Sequence, residues 1–319
     1  MTFWIRRREF IAALGGAVTA WPVATRAQGQ SLPVVGFLGG RASEPWLASF
    51  RNGLGEIGYI ENQNVTVEYH WLDGEYDRVP ALMADFVRRR VAVIATPVDS
   101  PGSIAAKAAT ATIPIVFGVG DDPVKLGLVA SLARPGGNAT GVNFFNSEVV
   151  AKRLGLLHEL IPKAVRVAVL VNPTDATNTE TTLQGVHEAA HAIGLQIQVH
   201  NASTNREIDT AFAAPAREHA DALLVAGDAL FGSRRVQIVT LAARDRIPTS
   251  FPGRDNVAAG GLMSYATTIA ETLHQVGKPA ELPVVQSTNF EFVINLQTAR
   301  LLGVEVPPTL IAIADEVIQ

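Results

Sequence analysis

Val165-Arg-Val-Ala-Val-Leu-Val171 runs directly into Asn172-Pro-Thr-Asp175, after which Leu183, Val186, Ala190 and Ile193 recur at helical spacing. A short, unbroken apolar run bounded by turn formers reads as a strand buried on both faces, and the spacing after it as the helix that covers it. The unit repeats on both sides. Downstream come a strand at Gln196–His200, a helix from Ile208, a strand at Ala222–Ala226, a helix near Val236–Ala243 and a short strand at Ile247–Pro248. Upstream, Pro33-Val-Val-Gly-Phe-Leu38 is a strand, and Trp46, Leu47, Phe50, Leu54 and Ile57 mark a helix ended by Gly58. Further strands are expected at Val65–Tyr69, Val91–Ala95, Ile113–Phe117 and Ala139–Asn143, with helices over Val79–Val87 and Ile104–Ala111. Strands alternating with helices in this way imply an α/β chain of two doubly wound parallel-sheet lobes.

Ligands of such sheets bind beyond the carboxyl ends of the strands. The loops there are Gly39–Ser43, Thr96–Ser100, Gly118–Asp122, Asn172–Asp175 and Gly227–Phe231. Small, hydroxyl and acidic residues dominate them, and several lead into helix N-termini, whose unpaired N–H groups hold carboxylates. Taken singly, each Ser, Thr or Asp is an ordinary N-cap or turn former. Five such loops at equivalent topological positions are what mark them as a site.

At 319 residues the chain has room for two domains and a leader. It is 48% hydrophobic and 18% charged, a globular profile, and its net charge of −4 with scattered Lys and Arg gives no footprint for nucleic acid. Cysteine is absent, which excludes disulfides, thiolate metal sites, a cysteine nucleophile and a lipid-anchored N-terminal cysteine. Met1 to Ala27 reads as an export signal with Arg6-Arg7-Arg8, an apolar stretch Phe10–Ala20 and a small-x-small site Thr25-Arg26-Ala27. Arg7-Arg8-Glu9-Phe10-Ile11 suits the twin-arginine route. The apolar stretch is shorter than the roughly 20 residues that span a bilayer. The leader holds four Arg and one Glu, a net +3, so −4 − 3 leaves −7 on the mature chain. Cleavage near Ala27, release into a Gram-negative periplasm and no membrane insertion of the mature chain are expected.

Particular stretches go further. Ile113-Pro-Ile-Val-Phe117, Asp122-Pro-Val-Lys-Leu-Gly-Leu-Val-Ala-Ser-Leu-Ala-Arg-Pro-Gly-Gly-Asn-Ala-Thr-Gly141 and Ala259-Gly-Gly-Leu-Met-Ser-Tyr265 are three of them. Lys278-Pro-Ala-Glu-Leu-Pro283, the run Phe290 to Gly303, Val306-Pro-Pro-Thr-Leu310 and Ala314-Asp-Glu-Val317 are others. With these the chain resembles the TrpX-like ABC-transporter substrate-binding proteins over nearly all of its mature length. The resemblance implies a type I periplasmic-binding fold, with lobes over 32–145 plus 252–283 and over 146–251 plus 284–319, joined by a crossover hinge. It implies chain crossings near Asn143–Ser147, Ser250–Asp255 and Val284–Phe290. It also implies a small-molecule ligand, often an amino acid, and an inner-membrane ABC permease as partner, with no cofactor and no enzymatic step. The chain departs from the pattern where Gly277 joins Lys278 directly, some ten residues short of the family's usual helix, about 15 Å.

An amino-acid zwitterion needs charge-assisted hydrogen bonds at both ends when it leaves water. On that requirement the expected ligand contacts are Ser43, Thr96, Ser100 and Thr174 for the carboxylate, and Asp122 or Asp228 for the ammonium. Asp99 and Asn172 belong to the same loops, and Phe231 and Tyr265 would wall an apolar side chain. Arg41 and Arg254 are the alternative partners of an anionic solute. A carrier is expected to be a monomer. Two other readings compete. A ligand sensor feeding a receptor shares the fold and the binding step. His187-Glu188-Ala189-Ala190-His191 matches the H-E-x-x-H pattern of zinc peptidases. Here it lies on the shoulder of the helix's buried stripe, and Ile197 stands where a third histidine would be expected.

Overall fold

The computed structural model describes residues 32–217, 220–277 and 283–319. The expected export signal and the residues directly after Gly277 lie outside the described residues. The chain begins with β1 (Val34–Gly39), α1 (Glu44–Glu56), β2 (Thr66–Trp71), α2 (Val79–Arg89), β3 (Val93–Thr96), α3 (Ser100–Ala109), β4 (Ile115–Val119) and β5 (Ala139–Asn143). It continues with α4 (Asn146–Leu160), β6 (Arg166–Val171), α5 (Ala176–Ile193), β7 (Gln196–Asn201), α6 (Asn205–Arg217) and β8 (Ala222–Val225). Then come α7 (Ala229–Ser233), α8 (Arg235–Arg244), β9 (Thr249–Phe251), α9 (Arg254–Ala258), β10 (Met263–Thr267) and α10 (Ile269–Gly277). The chain closes with β11 (Val285–Gln286), β12 (Phe290–Asn295), α11 (Leu296–Leu302), α12 (Pro308–Ile313) and β13 (Glu316–Ile318).

The first sheet has the order β11-β5-β4-β3-β1-β2 and is parallel throughout. A parallel sheet must be covered on both faces, because its crossover connections are helices. Accordingly Phe37, Val35 and Val116 pack with Phe50, Leu54, Leu273 and Val276 of α1 and α10. On the other face Leu38, Ile94 and Phe117 pack with Met83, Phe86 and Ala106 of α2 and α3. The second sheet has the order β13-β12-β10-β9-β8-β6-β7, with one antiparallel pair, β10 against β12. Its core gathers Val167–Val171 and Ala222–Ala226 with Leu154, Leu157, Val186, Ile208 and Ile238.

The expected strands and helices are present, with helices two to seven residues longer at their N-termini in several cases and β9 starting at Thr249, not Ile247. Sheet membership corrects the expected lobes at two points. Met263–Thr267, placed with 252–283 in the first lobe, joins the second sheet, pairing with Phe290–Ile294 and Ser250–Phe251. The reason is local: α9 and the Gly260-Gly261 turn carry the chain back alongside β9, with Gly260 at φ +105. Conversely Val285–Gln286, placed with 284–319, lies on the edge of the first sheet against β5. The chain therefore passes between the sheets after β5, after β10 and after β11, so the middle crossing falls at Thr267–Ile269, not at Ser250–Asp255.

The helix α10 packs closely against α1. On α10, Gly277 faces the Phe50 carbonyl, and Gly53 of α1 faces the His274 carbonyl, so close that a Cβ on Gly53 would sit 2.2 Å from that oxygen. His187, Glu188 and His191 lie on the exposed face of α5, with Glu188 accepting from Gln184 Nε2 at 2.9 Å.

Candidate functional site

Strand order reverses where the connection leaving β1 goes to β2 on one side and the next returns to β3 on the other. The equivalent point in the second sheet lies between β6 and β8. Such switch points open a crevice at the strands' carboxyl ends. The loops from both sheets meet there around a cavity of about 430 Å³, the size of a small-ligand site.

Three carboxylates reach it from helix N-termini. Asp99 caps α3 through the Gly102 N–H at 3.1 Å, Asp175 caps α5 through the Asn178 N–H at 3.2 Å, and Asp228 caps α7 through the Leu230 N–H at 2.8 Å. Capping neutralises the donors that would otherwise hold an anion. This end of the cavity is consequently acidic. Asp121 adds a fourth carboxylate, accepting from Ser100 Oγ at 2.7 Å, while its Oδ1 and Asp99 Oδ2 are buried with no hydrogen-bond partner among the described residues. Burial pushes the Asp99 carboxyl up to about 7, with Asp228 adding repulsion. Burial also lifts Asp175 to about 7, reinforced by Asp228, Asp99 and Asp121. Asp228 is raised by burial too, against the hydrogen bonds it accepts from Asn172 and Tyr76. The Tyr76 hydroxyl donates to Asp228 Oδ2 at 2.9 Å across the two halves, and burial with three nearby carboxylates holds this phenol far above the ordinary tyrosine range.

The walls are aromatic. Trp46, Trp71, Phe37 and Phe144 line the cavity, and Trp71 meets Phe37 edge-on at 5.5 Å. The Arg41 guanidinium lies 4.1 Å over the Trp46 ring and pairs with Asp255, a second link between the halves. Arg254 forks onto Glu316 at 2.6 and 2.7 Å. Arg153, on α4, is 1% exposed, and its Nη2 donates to the Val225 and Ser250 carbonyls at 2.7 and 2.9 Å. Burial lowers its pKa to about 9.

Of the ten expected ligand residues, Asp99, Ser100 and Asp228 line the cavity. The other seven are placed elsewhere. Thr96 and Asn172 are buried behind the lining, bonded to Ser103 Oγ at 2.8 Å and to Asp228 Oδ1 at 3.2 Å. Thr174 is exposed and donates to Asn172 Oδ1 at 2.7 Å; Asp122 accepts the Val124 N–H in a turn at 2.9 Å, and its neighbour Asp121 takes the cavity position. Ser43 precedes α1 without capping it through its side chain and stands outside the lining. Phe231 is core at 0% exposed, and Tyr265 stacks on Phe290 at 5.7 Å, away from the cavity. The residues missed, Trp46, Trp71, Tyr76 and Asp175, are those that pattern reading assigns to core or caps. Val98 carries a fainter signal: φ is +58 at this lining residue, a strained conformation for a β-branched side chain that binding loops tend to retain.

The family model described as ABC transporter substrate binding protein matches residues 31–318. A tyrosine-binding protein of Clostridioides difficile is 26% identical over 266 residues, covering 80% of this chain and 76% of its own. Among solved structures, a conserved domain protein from Vibrio cholerae O1 biovar El Tor is similar at TM-score 0.80 and 24% identity, covering 90% of this chain and all of its own. The ABC domain in complex with L-Trp from Streptococcus pneumonia is similar at TM-score 0.80 and 22% identity, with the same coverage. The two-sheet architecture is the type I periplasmic-binding fold.

Proposed function

The chain belongs to the family of ABC transporter substrate binding proteins, and we propose on that premise that its cleft captures one aromatic amino acid per chain. The observation that carries this reading is the acidic end formed by Asp99, Asp175 and Asp228 beside the walls Trp46 and Trp71. Desolvated carboxylates provide the counter-charge an ammonium needs, and large rings cover an aromatic side chain at low entropic cost. The relatives named for tyrosine and bound to L-Trp support the same ligand class.

Both halves contribute to the lining, so the full set of contacts exists only when they approach, and ligand binding shifts a hinge equilibrium toward closure. The hinge is formed by the crossings at Asn143–Asn146, Thr267–Ile269 and Gln286–Phe290, which divide the chain into 32–143 with 269–286 and 146–267 with 290–319. The closed form docks on a permease of the inner membrane. The leader-like Met1–Ala27 supports export to the periplasm, and no helix among the described residues is long and apolar enough to cross a membrane. A monomer suits a freely diffusing carrier. No bond is made or broken in this cycle.

Calorimetric titration of residues 28–319 with L-tyrosine, L-tryptophan and L-leucine tests the reading. One site per chain, with either aromatic amino acid bound at least about tenfold more tightly than leucine, is expected. Absence of heat with both aromatic amino acids, or equal affinity for all three, refutes it.

A further inference from the structure

Three cations line the cavity among the described residues, Arg41, Arg153 and Arg254. Arg41 is neutralised by Asp255 and Arg254 by Glu316. Arg153 has no carboxylate partner among the described residues. Its hydrogen bonds run from Nη2 to two carbonyls and from Nε to Ser250 Oγ at 3.4 Å, which leaves Nη1 without a partner among the described residues.

Burying a guanidinium costs several kcal/mol unless an anion compensates it. Two carbonyls at the ends of β8 and β9 offset part of that, and a neutral amide would clamp them more cheaply. The helix geometry accounts for where the side chain points its chemistry. Asn146, Val149 and Arg153 recur at spacings of three and four, which places them on one face of α4, and all three line the cavity. The rest of that stripe is Leu156, Leu157 and Leu160, all core. An arginine has thus been set in an apolar stripe at the point where the stripe meets the cleft.

We propose that Arg153 is the anion anchor of the cleft, receiving the ligand's carboxylate on Nη1 while the Asp99, Asp175 and Asp228 end receives its ammonium. This assignment rests on the amino-acid reading of the site and adds its polarity. It also explains why the expected hydroxyls at Ser43, Thr96 and Thr174 are not needed for that carboxylate. Nη1 keeps both of its hydrogens to donate, and a hydrogen bond to a charged group contributes enough to change affinity by about tenfold to a hundredfold.

The test compares L-tyrosine with tyramine, which lacks the carboxylate, and with L-tyrosine amide, which replaces it by a neutral group, in the wild-type chain and in Arg153→Gln and Arg153→Lys. The wild type is expected to prefer L-tyrosine to both analogues. Arg153→Gln is expected to lose about tenfold to a hundredfold for L-tyrosine and to stay within about threefold for tyramine. Arg153→Lys, which keeps the charge without the clamp on the two carbonyls that aims Nη1, is expected to fall between, and it decides the matter if the glutamine variant does not fold. Equal losses for L-tyrosine and tyramine would mean that Arg153 only ties α4 to the strand ends, and that result overturns the assignment. Unchanged affinity for L-tyrosine overturns it as well. A wild type that binds neither L-tyrosine nor L-tryptophan overturns the aromatic amino-acid reading itself, a failure visible before any variant is made.

Discussion

Asp99 and Asp175 both have carboxyls near 7, against about 4 in an unfolded chain. The folded state therefore binds these protons more tightly than the unfolded state, and the stabilisation is complete below about pH 4 and lost as pH rises through about 7. The unliganded chain is expected to melt at a higher temperature at pH 6 than at pH 8. Asp99→Asn, which keeps the capping oxygen, should flatten that slope, and a slope unchanged in the variant would remove Asp99 as its source. A ligand cation in the cluster favours the ionised carboxylates, so binding near pH 6.5 should release protons. Calorimetric enthalpies measured in phosphate and in Tris must then differ after correction for dilution; identical values would exclude the coupling. How much of this was legible in the sequence depended on residue type. Asp99, Ser100 and Asp228 follow from strand-end loops alone. Trp46 does not, because its helical spacing assigns it to the buried stripe of α1, and Tyr76 and Trp71 likewise look like core. Arg153 carries a readable trace, a charge at a core position of α4, but the helix itself has no clear single stripe because its leucines crowd more than one face.

At the level of elements, periodicity recovers β1, β3, β4, β6 and β8 because parallel strands buried on both faces are continuous apolar runs, and the edge strands β2 and β7 because polar and apolar residues alternate along them. It says little about β10, Met263-Ser-Tyr-Ala-Thr267, where small and polar residues dilute the pattern and partner choice depends on a turn at Gly260-Gly261. Neighbouring glycines on one helix separate contact from open space. A Cβ on Gly53 would meet the His274 carbonyl at 2.2 Å, whereas nothing lies within 4 Å of one on Gly55. Gly53→Ala should force α1 from α10 and lower the unfolding free energy by about 1–3 kcal/mol. Gly55→Ala should raise it by up to about 1 kcal/mol, since alanine is the better helix former. Urea denaturation of the two variants checks both signs, and a stabilising Gly53→Ala would show that the two helices are not in close contact in solution.

For the whole molecule, the two side-chain links across the cleft, Tyr76 to Asp228 and Arg41 to Asp255, favour apposition of the halves. Tyr76→Phe combined with Asp255→Ala is expected to increase the radius of gyration of the unliganded chain in X-ray scattering and to weaken ligand binding. An unchanged radius would assign the apposition to the backbone crossings instead. Sequence alone implied two halves and their resemblance-based hinge, but not which half owns β10 and β11, because pairing across long separations leaves no local mark. The consequence of those interlaced segments is mechanical. The first half is assembled from pieces lying on both sides of the Asn143–Asn146 crossing, so a protease nick there liberates neither half. The later fragment still threads α10 and β11 into the body built from the earlier one. Such a nicked sample should elute as one species in native buffer and separate into two bands only once detergent has dismantled it.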